Sequence, residues 1–381
     1  MKRYLGENYA MKVVQKRSLI KRAFGRTCQI FLEWQCRIKF NGKPFTPAIQ
    51  SAIKETFKSR RDIYLHDEAT ARSLADNWQG TESKPPNLRF IQNAIPIVLS
   101  ANEDFAPYMA VMLQSLMDNS NQERKYHFII FERNFSKKTK KYLMDQMLKF
   151  SHCTIDFINT EGVLDGIPIA PAPGSHLSVD AFSRLFIPYW LDKYPKVIYC
   201  DSDMIARADI AELYDLDIQD FCMGAVECQT THENIESRMY SYLLKWSAVY
   251  MLLDNWLRYL NSGVLVFDTQ KFKEKISYRD CFKLAIYYTN RYRKRFNDQD
   301  VIALLFKDDY FSLSPEWNYT LSIAGKGKSY CHATKLNAKI FHFITSIKPW
   351  KNIPSITNNF MVLEYRNYAK NVPLFRERGI K

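Results

Sequence analysis

Two aspartates that lie one residue apart, Asp201 and Asp203, end an apolar run that begins at Val197. The run has the composition of a buried strand in a parallel sheet. Because side chains alternate along a strand, carboxylates at positions i and i+2 point the same way. Like charges held this close repel each other unless a cation lies between them or one of them stays protonated. The spacing therefore indicates either a site for Mg²⁺ or Mn²⁺, which often shares its remaining positions with phosphate oxygens, or a solvated turn after a strand.

The composition indicates a folded, reduced protein. A chain of 381 residues with 46% hydrophobic residues can bury one large core with appendages, or two domains, and is not disordered throughout. Its 8 cysteines show no Cys-x-x-Cys spacing, which favours reduced core thiols over a disulfide framework or a zinc site. No apolar run approaches the roughly 20 residues that span a bilayer, and residues 1–40 lack the pattern of a secretory signal. We therefore expect a cytoplasmic protein.

Positive charge is concentrated at the two ends of the chain. Residues 1–90 hold 18 Lys and Arg against 8 Asp and Glu, residues 351–381 hold 6 against 2, and the middle is neutral. Basic arms on a neutral core suggest an anionic partner, either a membrane surface or a nucleic acid. Residues 10–40 mix apolar and basic side chains, which is typical of an amphipathic helix on anionic lipid or of an ordinary surface helix.

Strand and helix patterns alternate along the rest of the chain. Gly80 to Pro86 has the composition of a linker, so the main domain should begin near Phe90. The patterns predict strands over residues 95–100, 126–131, 153–158, 197–200, 223–227, 259–267 and 339–343, and helices over 53–78, 105–117, 136–150, 178–194, 235–257 and 298–306. This alternation predicts an α/β fold with a parallel, doubly wound sheet, whose ligands bind beyond the carboxyl ends of the strands.

Five short motifs follow one another along the chain. They are Phe182-x-Arg184-Leu-x-x-Pro188, Asp201-Ser-Asp203, Asn261-Ser-Gly263-Val-Leu, Asp298-Gln299-Asp300 and His342-x5-Lys348-Pro-Trp350. In this order they resemble glycosyltransferase family 8, whose members are retaining, nucleotide-sugar-dependent enzymes and include bacterial lipopolysaccharide galactosyl- and glucosyltransferases and glycogenin. The resemblance implies a single GT-A-type, Rossmann-like nucleotide-sugar-binding domain with a mostly parallel twisted sheet over residues 91–350. A basic, mostly helical extension, residues 1–90, would precede it, and a basic tail, residues 351–381, would follow it.

The resemblance also implies a metal site. Asp201, Asp203 and His342 would hold Mn²⁺ or Mg²⁺, and the metal would bridge the diphosphate of UDP-galactose or UDP-glucose. Such a cation neutralises the leaving diphosphate as the bond between sugar and oxygen breaks. Lys348 would donate to the same phosphates as a point charge. Without the Lys-Pro-Trp sequence that follows it, His342 would read as a core histidine on an apolar strand.

The remaining site residues are assigned to the donor in the same way. The donor-binding set that the resemblance implies is Ser100, Ala101, Asn102, Asp104, Arg184, Ser202, Asn261 and Lys348. Residues 99–104 would cradle uridine, while Arg184 would reach the diphosphate or the sugar, or else form only a surface salt bridge. Asn261 and Asp298 would hold hexose hydroxyls, and Gln299 would lie close to the anomeric carbon. Asp298 and Gln299 are therefore the catalytic candidates.

Two positions concern the acceptor. Glu227 would face it. The family's last motif usually reads His-x-x-Gly-x-x-Lys-Pro-Trp, and Thr345 replaces the glycine in this chain. Glycine lets the backbone approach a ligand closely. The Thr345 side chain could therefore reshape the pocket and change the choice of acceptor.

The sequence thus favours a retaining hexosyltransferase that moves galactose or glucose from a UDP-sugar to a glycan or lipid-linked glycan, in the synthesis of lipopolysaccharide, lipooligosaccharide or another surface polysaccharide. The basic arms predict peripheral binding to the inner face of the cytoplasmic membrane. The alternative among enzymes is a glycogenin-like transferase that glycosylates a protein or itself, for which the 23 tyrosines offer acceptors. A basic nucleic-acid-binding protein is the alternative from another class. It would explain a pI near 9.2, but the chain lacks the spaced aromatics and glycines of known RNA modules, so we expect no nucleic-acid partner.

Overall fold

The structure, a computed structural model, describes residues 68–80, 82, 88–169, 179–228, 259–291, 297–306, 309–321, 337–344 and 348–378. Some of the sequence predictions fall wholly outside these residues, namely the amphipathic stretch over residues 10–40, the helix over 235–257, and Thr345. Two others fall partly outside them, namely the helix predicted over residues 53–78, of which residues 68–77 are helical, and the linker predicted over Gly80 to Pro86.

Strands and helices alternate through most of the described chain, as the sequence predicts. The strands are β1 Ala94–Asn102, β2 Lys125–Arg133, β3 Cys153–Asn159, β4 Lys196–Cys200, β5 Met204–Ala206, β6 Met223–Glu227, β7 Leu260–Asp268, β8 Phe311–Leu313, β9 Tyr319–Thr320 and β10 Ile340–His342. The α-helices are α1 Glu68–Asn77, α2 Ala106–Asp118, α3 Lys137–Met147, α4 Glu161–Asp165, α5 Ile187–Trp190, α6 Ala211–Asp215, α7 Thr269–Lys275, α8 Tyr278–Arg291, α9 Asp298–Phe306, α10 Phe360–Ala369 and α11 Pro373–Glu377. Short 3₁₀ helices cover Val179–Phe186, Pro315–Asn318 and Pro354–Ile356.

Among the described residues, no helix is long and apolar enough to cross a membrane.

The strands form two sheets. The larger has the order β3-β2-β1-β4-β7-β6-β8, and the smaller has the order β5-β10-β9. In the larger sheet β3, β2, β1 and β4 run parallel, as do β6 and β8, whereas β7 is antiparallel to both β4 and β6. Strand β1 is buried on both faces, with Val98 in one apolar cluster and Ile97 and Leu99 in the other. The predicted α/β fold with a mostly parallel sheet is therefore confirmed, with β7 as a reversed strand.

The segment predicted as one helix over residues 178–194 instead contains a 3₁₀ helix followed by α5. Pro188 cannot donate a backbone hydrogen bond, which suits the first turn of a new helix better than the interior of a long one. The rings of Phe186 and Trp190 stack in the core with centroids 4.3 Å apart. This packing anchors the segment that carries Arg184.

Helix α9 begins where the sequence predicts. Asn297 Oδ1 accepts a hydrogen bond from the Asp300 N–H at 3.0 Å, and the Asp300 carboxylate accepts one from the Asn297 N–H at 2.8 Å. This reciprocal cap satisfies backbone N–H groups that a helix start otherwise leaves unpaired. It fixes the first turn, which carries Asp298 and Gln299.

The C-terminal helices pack against the rest of the fold. Tyr365 of α10 is fully buried, with ring centroids 5.2 Å from Phe343 and 5.6 Å from Trp350. Trp350 also stacks on Tyr108 of α2, with centroids 3.6 Å apart. The Lys-Pro-Trp sequence is thus held between α2 and α10, and this packing positions Lys348.

Candidate active site

The segment Asp201-Ser202-Asp203 links β4 of the larger sheet to β5 of the smaller one. Strands β1 and β4 pair in parallel register as far as Cys200, so the residues that follow both strands lie at the same edge. Across this edge the Ser202 hydroxyl donates to the Ser100 carbonyl oxygen at 2.7 Å. The two aspartates therefore lie beyond the carboxyl ends of parallel strands, where ligands of such sheets bind.

The reversed strand β7 brings the Asn-Ser-Gly motif to this edge. Because β7 is antiparallel to β4, its amino end meets the carboxyl end of β4, with Val264 opposite Cys200. The Asp201 N–H donates to the Gly263 carbonyl oxygen at 2.8 Å. The main chain thus joins two of the sequence motifs directly.

The three predicted metal ligands converge. Strand β10 pairs with β5 so that His342 lies opposite Met204, next to the aspartates. His342 Nε2 is 3.3 Å from an Asp203 carboxylate oxygen and 3.6 Å from an Asp201 carboxylate oxygen. The three residues offer ligand atoms within 4.8 Å of one another. Carboxylate and imidazole side chains are both common ligands of divalent metals in proteins, so the mixed set fits a divalent cation.

Gly263 leaves the space that the His342 ring occupies. A Cβ atom on this residue would lie 2.4 Å from His342 Cε1 and 2.8 Å from Met204 Cε, which is closer than real side chains approach. Gly263 lies within β7, inside the strand that the sequence predicts over residues 259–267. Its role depends on a contact with β10, which no local pattern indicates.

Asn318, which belongs to none of the five sequence motifs, is buried beside His342. Its Oδ1 lies 2.8 Å from His342 Nδ1, and its Nδ2 donates to Asn261 Oδ1 at 2.8 Å. Asn318 ends the 3₁₀ helix before β9, and β9 pairs with β10 in parallel register. An asparagine in a short helix carries no functional signal of its own, so only the pairing of these strands reveals the contact.

Arg184 lies at the centre of the site. Its guanidinium is buried, 3.1 Å from carboxylate oxygens of both Asp201 and Asp298. It also donates to the Ser262 carbonyl oxygen at 2.6 Å and to the Ser262 hydroxyl at 2.8 Å. Burial alone would lower the pKa of Arg184, but the two carboxylates outweigh burial and raise this pKa above its usual value. Arg184 therefore belongs to the interior of the site and not to a surface salt bridge.

Tyr199 packs against Arg184 and orients Asp201. Its ring centroid is 4.5 Å from Arg184 Cζ, and its hydroxyl donates to Asp201 Oδ1 at 2.7 Å. Arg184 donates to the same oxygen, whereas His342 faces Asp201 Oδ2. One oxygen of Asp201 is thus held by the protein, and the other faces the predicted metal position.

Asp298 and Gln299 are held against β7. Asp298 is buried, and its carboxylate accepts a hydrogen bond from the Ser262 hydroxyl at 3.2 Å in addition to its contact with Arg184. Burial raises the pKa of Asp298, although Arg184 opposes the shift. Gln299 Oε1 accepts from the Ser262 N–H at 3.1 Å, and Gln299 Nε2 donates to the Tyr259 hydroxyl at 2.9 Å. Both ends of the Gln299 amide therefore have polar partners.

Lys348 contacts the second aspartate. Its ammonium forms an ion pair with Asp203 and donates to the Phe343 carbonyl oxygen at 2.6 Å. Burial alone would raise the pKa of Asp203, but Lys348 and His342 outweigh burial and lower it. The Asp203 carboxylate is therefore ionised, as a metal ligand must be.

The residues predicted to cradle uridine lie at and after the end of β1. Their side chains differ in burial and in hydrogen bonding. The Ser100 hydroxyl accepts a hydrogen bond from the Ser183 hydroxyl at 3.0 Å, and Asn102 Oδ1 accepts one from the Phe105 N–H at 3.1 Å. The Ala101 side chain is buried in the core, so only its main chain can contact a ligand. Asp104 is exposed.

Glu227 lies at the end of β6, opposite Leu260 of β7. Its carboxylate accepts a hydrogen bond from the Ser312 hydroxyl at 3.2 Å. Since Asn261 follows Leu260 directly, Glu227 lies at the same edge of the sheet as the Asn-Ser-Gly motif.

The sequence matches one family model and several known proteins. The family model described as Glycosyl transferase family 8 matches residues 96–354. General stress protein A of Bacillus subtilis is 25% identical over 288 residues, which cover 72% of this chain and 93% of that protein. Glycosyltransferase GlyF of Streptococcus pneumoniae is 24% identical over 179 residues, which cover 46% of this chain and 39% of that protein.

Solved structures of glycosyltransferases share the fold. The bifunctional glycosyltransferase WbbM superposes with a TM-score of 0.61 at 20% identity, over 76% of this chain and 52% of that one. The galactosyltransferase LgtC, solved in complex with donor and acceptor sugar analogues, superposes with a TM-score of 0.56 at 18% identity, over 73% of this chain and 96% of that one. The family match covers more than half of the chain, and the chain therefore belongs to glycosyltransferase family 8.

Proposed function

We propose that this protein is a retaining, metal-dependent hexosyltransferase that moves galactose or glucose from a UDP-sugar to a glycan acceptor. The observation that carries the proposal is the convergence of Asp201, Asp203 and His342 beyond the carboxyl ends of β1 and β4. Family membership supports glycosyl transfer. The cluster supports a divalent cation, because carboxylates this close together need positive charge between them.

The proposed metal is Mn²⁺, or Mg²⁺ in its place, on these three residues. When bound, it neutralises the charge that leaves with the diphosphate. Lys348, which is paired with Asp203, adds positive charge beside the site and is proposed to bind the same phosphates. Arg184 already contacts two carboxylates, so its proposed roles are to orient and neutralise them and to reach the donor.

The proposed donor contacts follow the edge of the sheet. Uridine is assigned to the main chain and side chains of residues 100–104 and to Ser202, which bonds to that segment. Hexose hydroxyls are assigned to Asn261 and Asp298. The acceptor is assigned to the region around Glu227, because that residue lies at the same edge of the sheet as the Asn-Ser-Gly motif.

The proposed reaction retains configuration through attack from the face that the diphosphate leaves. A double displacement needs a good nucleophile on the far face of the sugar. The Gln299 amide is a poor nucleophile, and the Asp298 carboxylate is already bonded by Arg184 and Ser262. The departing phosphate oxygen therefore takes the acceptor's proton, and Gln299 stabilises positive charge that develops on the sugar.

The proposed acceptor is a growing surface polysaccharide or lipooligosaccharide at the inner face of the cytoplasmic membrane. The charge of residues 1–90 and 351–381 supports contact with anionic lipid. Deletion of residues 1–40 should weaken binding to anionic liposomes and spare hydrolysis of the donor, since each Lys or Arg near such a surface contributes about 1 kcal/mol. Unchanged liposome binding would contradict this placement.

The donor is tested by hydrolysis of a panel of UDP-sugars with Mn²⁺ and without acceptor, with released UDP as the readout. We expect UDP-galactose or UDP-glucose to be hydrolysed in preference to N-acetylated relatives, and EDTA to stop the reaction. A protein that hydrolyses none of them in Mn²⁺, while transferring sugar from a different nucleotide donor, would overturn the proposal.

A further inference from the structure

Three buried side chains form a hydrogen-bonded series. It runs from His342, the proposed metal ligand, through Asn318 to Asn261, the proposed sugar contact. His342 Nδ1 lies 2.8 Å from Asn318 Oδ1, and Asn318 Nδ2 lies 2.8 Å from Asn261 Oδ1. The series ends at the Gly263 N–H, which donates to Asn261 Oδ1 at 2.9 Å. Each group in the series therefore depends on the orientation of its neighbour.

The backbone group at one end determines the orientation of all the others. A main-chain N–H can only donate, so the Asn261 atom that it meets is the oxygen. The same Asn261 oxygen also faces the Asn318 amide, so the Asn318 NH₂ group must point to Asn261. The Asn318 oxygen then points to His342. Because an amide oxygen only accepts, His342 Nδ1 carries a proton. With a cation bound the ring is neutral, and its lone pair is then on Nε2, the atom 3.3 Å from the Asp203 carboxylate.

The same series determines what Asn261 can offer to a sugar. Its oxygen has two lone pairs, and the Gly263 N–H and the Asn318 amide occupy both of them. Asn261 therefore acts towards a ligand as a donor and not as an acceptor. The partner that it selects is the oxygen of a hexose hydroxyl.

We infer that Asn318 is a positioning residue with two roles. It holds His342 in the tautomer that binds a cation through Nε2, and it commits Asn261 to donating to the donor sugar. The inference rests on the proposed function, because it requires a metal at His342 and a sugar at Asn261. Metal binding and sugar recognition then share one buried amide that touches neither ligand.

Two substitutions separate these roles. Asn318→Leu has a similar size but removes the hydrogen bonds to His342 and Asn261, whereas Asn318→Asp keeps an oxygen for His342 and removes the donor to Asn261. Titration with Mn²⁺, with free Mn²⁺ measured by electron paramagnetic resonance, gives affinity without any reaction. We expect Asn318→Leu to bind Mn²⁺ about 10- to 100-fold more weakly, the usual effect of losing such a partner. Asn318→Asp should bind within about threefold of wild type.

The sugar role has its own readout. In Asn318→Asp a carboxylate oxygen faces the Asn261 oxygen, so Asn261 keeps only the hydrogen bond from the Gly263 N–H and is repelled by its neighbour. The KM for UDP-sugar hydrolysis should therefore rise about tenfold. The matched control is Asn290→Leu in α8. Asn290 is also buried, and its NH₂ group donates to the Pro168 and Ile286 carbonyl oxygens at 2.7 and 2.9 Å. This variant should lose thermal stability and leave Mn²⁺ affinity unchanged.

The outcomes distinguish this inference from the proposed function. If Asn318→Leu binds Mn²⁺ as tightly as wild type, the inference is overturned and the metal site stands. If the wild-type protein binds no Mn²⁺, both are overturned. If Asn318→Leu does not fold, the Asn318→Asp variant tests the inference alone. The inference is overturned if this variant loses Mn²⁺ affinity and donor affinity together, or if it loses neither.

Discussion

The guanidinium of Arg184 bridges two carboxylates, with 3.1 Å to an oxygen of Asp201 and 3.1 Å to an oxygen of Asp298. The first carboxylate belongs to the proposed metal site and the second to the proposed hexose contact. Arg184 is only 4% exposed, so water screens little of the repulsion between these neighbours. Arg184 is therefore the group that makes the two carboxylates compatible in one buried site.

Replacing Arg184 should destabilise the fold as well as abolish transfer. Arg184→Met leaves the buried carboxylate of Asp298 and the partly exposed carboxylate of Asp201 without their cation, and the free energy of unfolding should fall by about 3–5 kcal/mol. The control is Arg124→Met, which removes the exposed pair that Arg124 forms with Asp215 at 2.8 Å and should cost less than about 1 kcal/mol. Urea denaturation at neutral pH measures both. Equal losses in the two variants would contradict the central position of Arg184.

Gly263 should be intolerant of even one methyl group. In Gly263→Ala the new Cβ atom meets His342 Cε1 at 2.4 Å, so the ring must move away from the aspartates. We expect Mn²⁺ affinity to fall at least about tenfold, because the site loses one ligand from its productive geometry. Gly162→Ala is the control, since a Cβ atom there meets nothing within 4 Å. If Gly263→Ala binds Mn²⁺ normally, His342 is not a ligand.

Asp300 should make stability depend on pH. It is fully buried, and burial raises its pKa to about 7 although the Tyr259 hydroxyl donates to it at 2.6 Å. The unfolded chain loses this proton near pH 4, so between about pH 4 and about pH 7 the folded state holds a proton that the unfolded state has lost. The free energy of unfolding therefore falls as the pH rises through this window and levels off above it.

The Asp300→Asn variant removes this titration. From about pH 5 to about pH 8 in EDTA, its stability relative to wild type should rise by on the order of 2 kcal/mol. Urea denaturation at several pH values gives the difference. A difference that stays constant across the window would show that Asp300 does not hold the proton.

The sequence predicts the parts of the site that depend on local pattern. The apolar runs that lead to Asp201, Asp203 and His342 are visible in the chain, and so is the helix over residues 298–306. The reversed direction of β7 is not visible, because a buried strand shows the same apolar run whether it is parallel or antiparallel. Strand-helix alternation therefore predicts a parallel neighbour where the structure has an antiparallel one.

Asn318 and Tyr199 show why the remaining site residues escape prediction. Asn318 contacts His342 and Asn261 only because β9 pairs with β10 and the smaller sheet meets β7. Tyr199 reads as an apolar strand residue, and its hydroxyl gains a role only when Arg184 packs on its ring. Both roles are tertiary contacts, which propensity and spacing do not encode.

Gln299→Ala should slow transfer without abolishing it. In the proposed same-face attack this side chain only stabilises positive charge on the sugar, so a variant that lacks it retains the metal and the donor contacts. An α-linked UDP-sugar should then yield an α-linked product, which proton NMR identifies from the anomeric signal. A β-linked product would contradict retention, and a sugar trapped covalently on Asp298 or Gln299 in a mass spectrum would contradict the mechanism.

The most direct test of the account is UDP release from UDP-galactose and UDP-glucose in Mn²⁺ by wild type, Asp201→Asn and Asp203→Asn. Asp145→Asn, at an exposed ion pair with Lys141, serves as the matched control. We expect both site variants to fold, because each change relieves repulsion, and to lose more than about a hundredfold in rate, because the cation stabilises leaving-group charge by several kcal/mol. The control should keep the wild-type rate. Near-normal UDP release by either site variant would contradict the assignment of these aspartates to a catalytic metal.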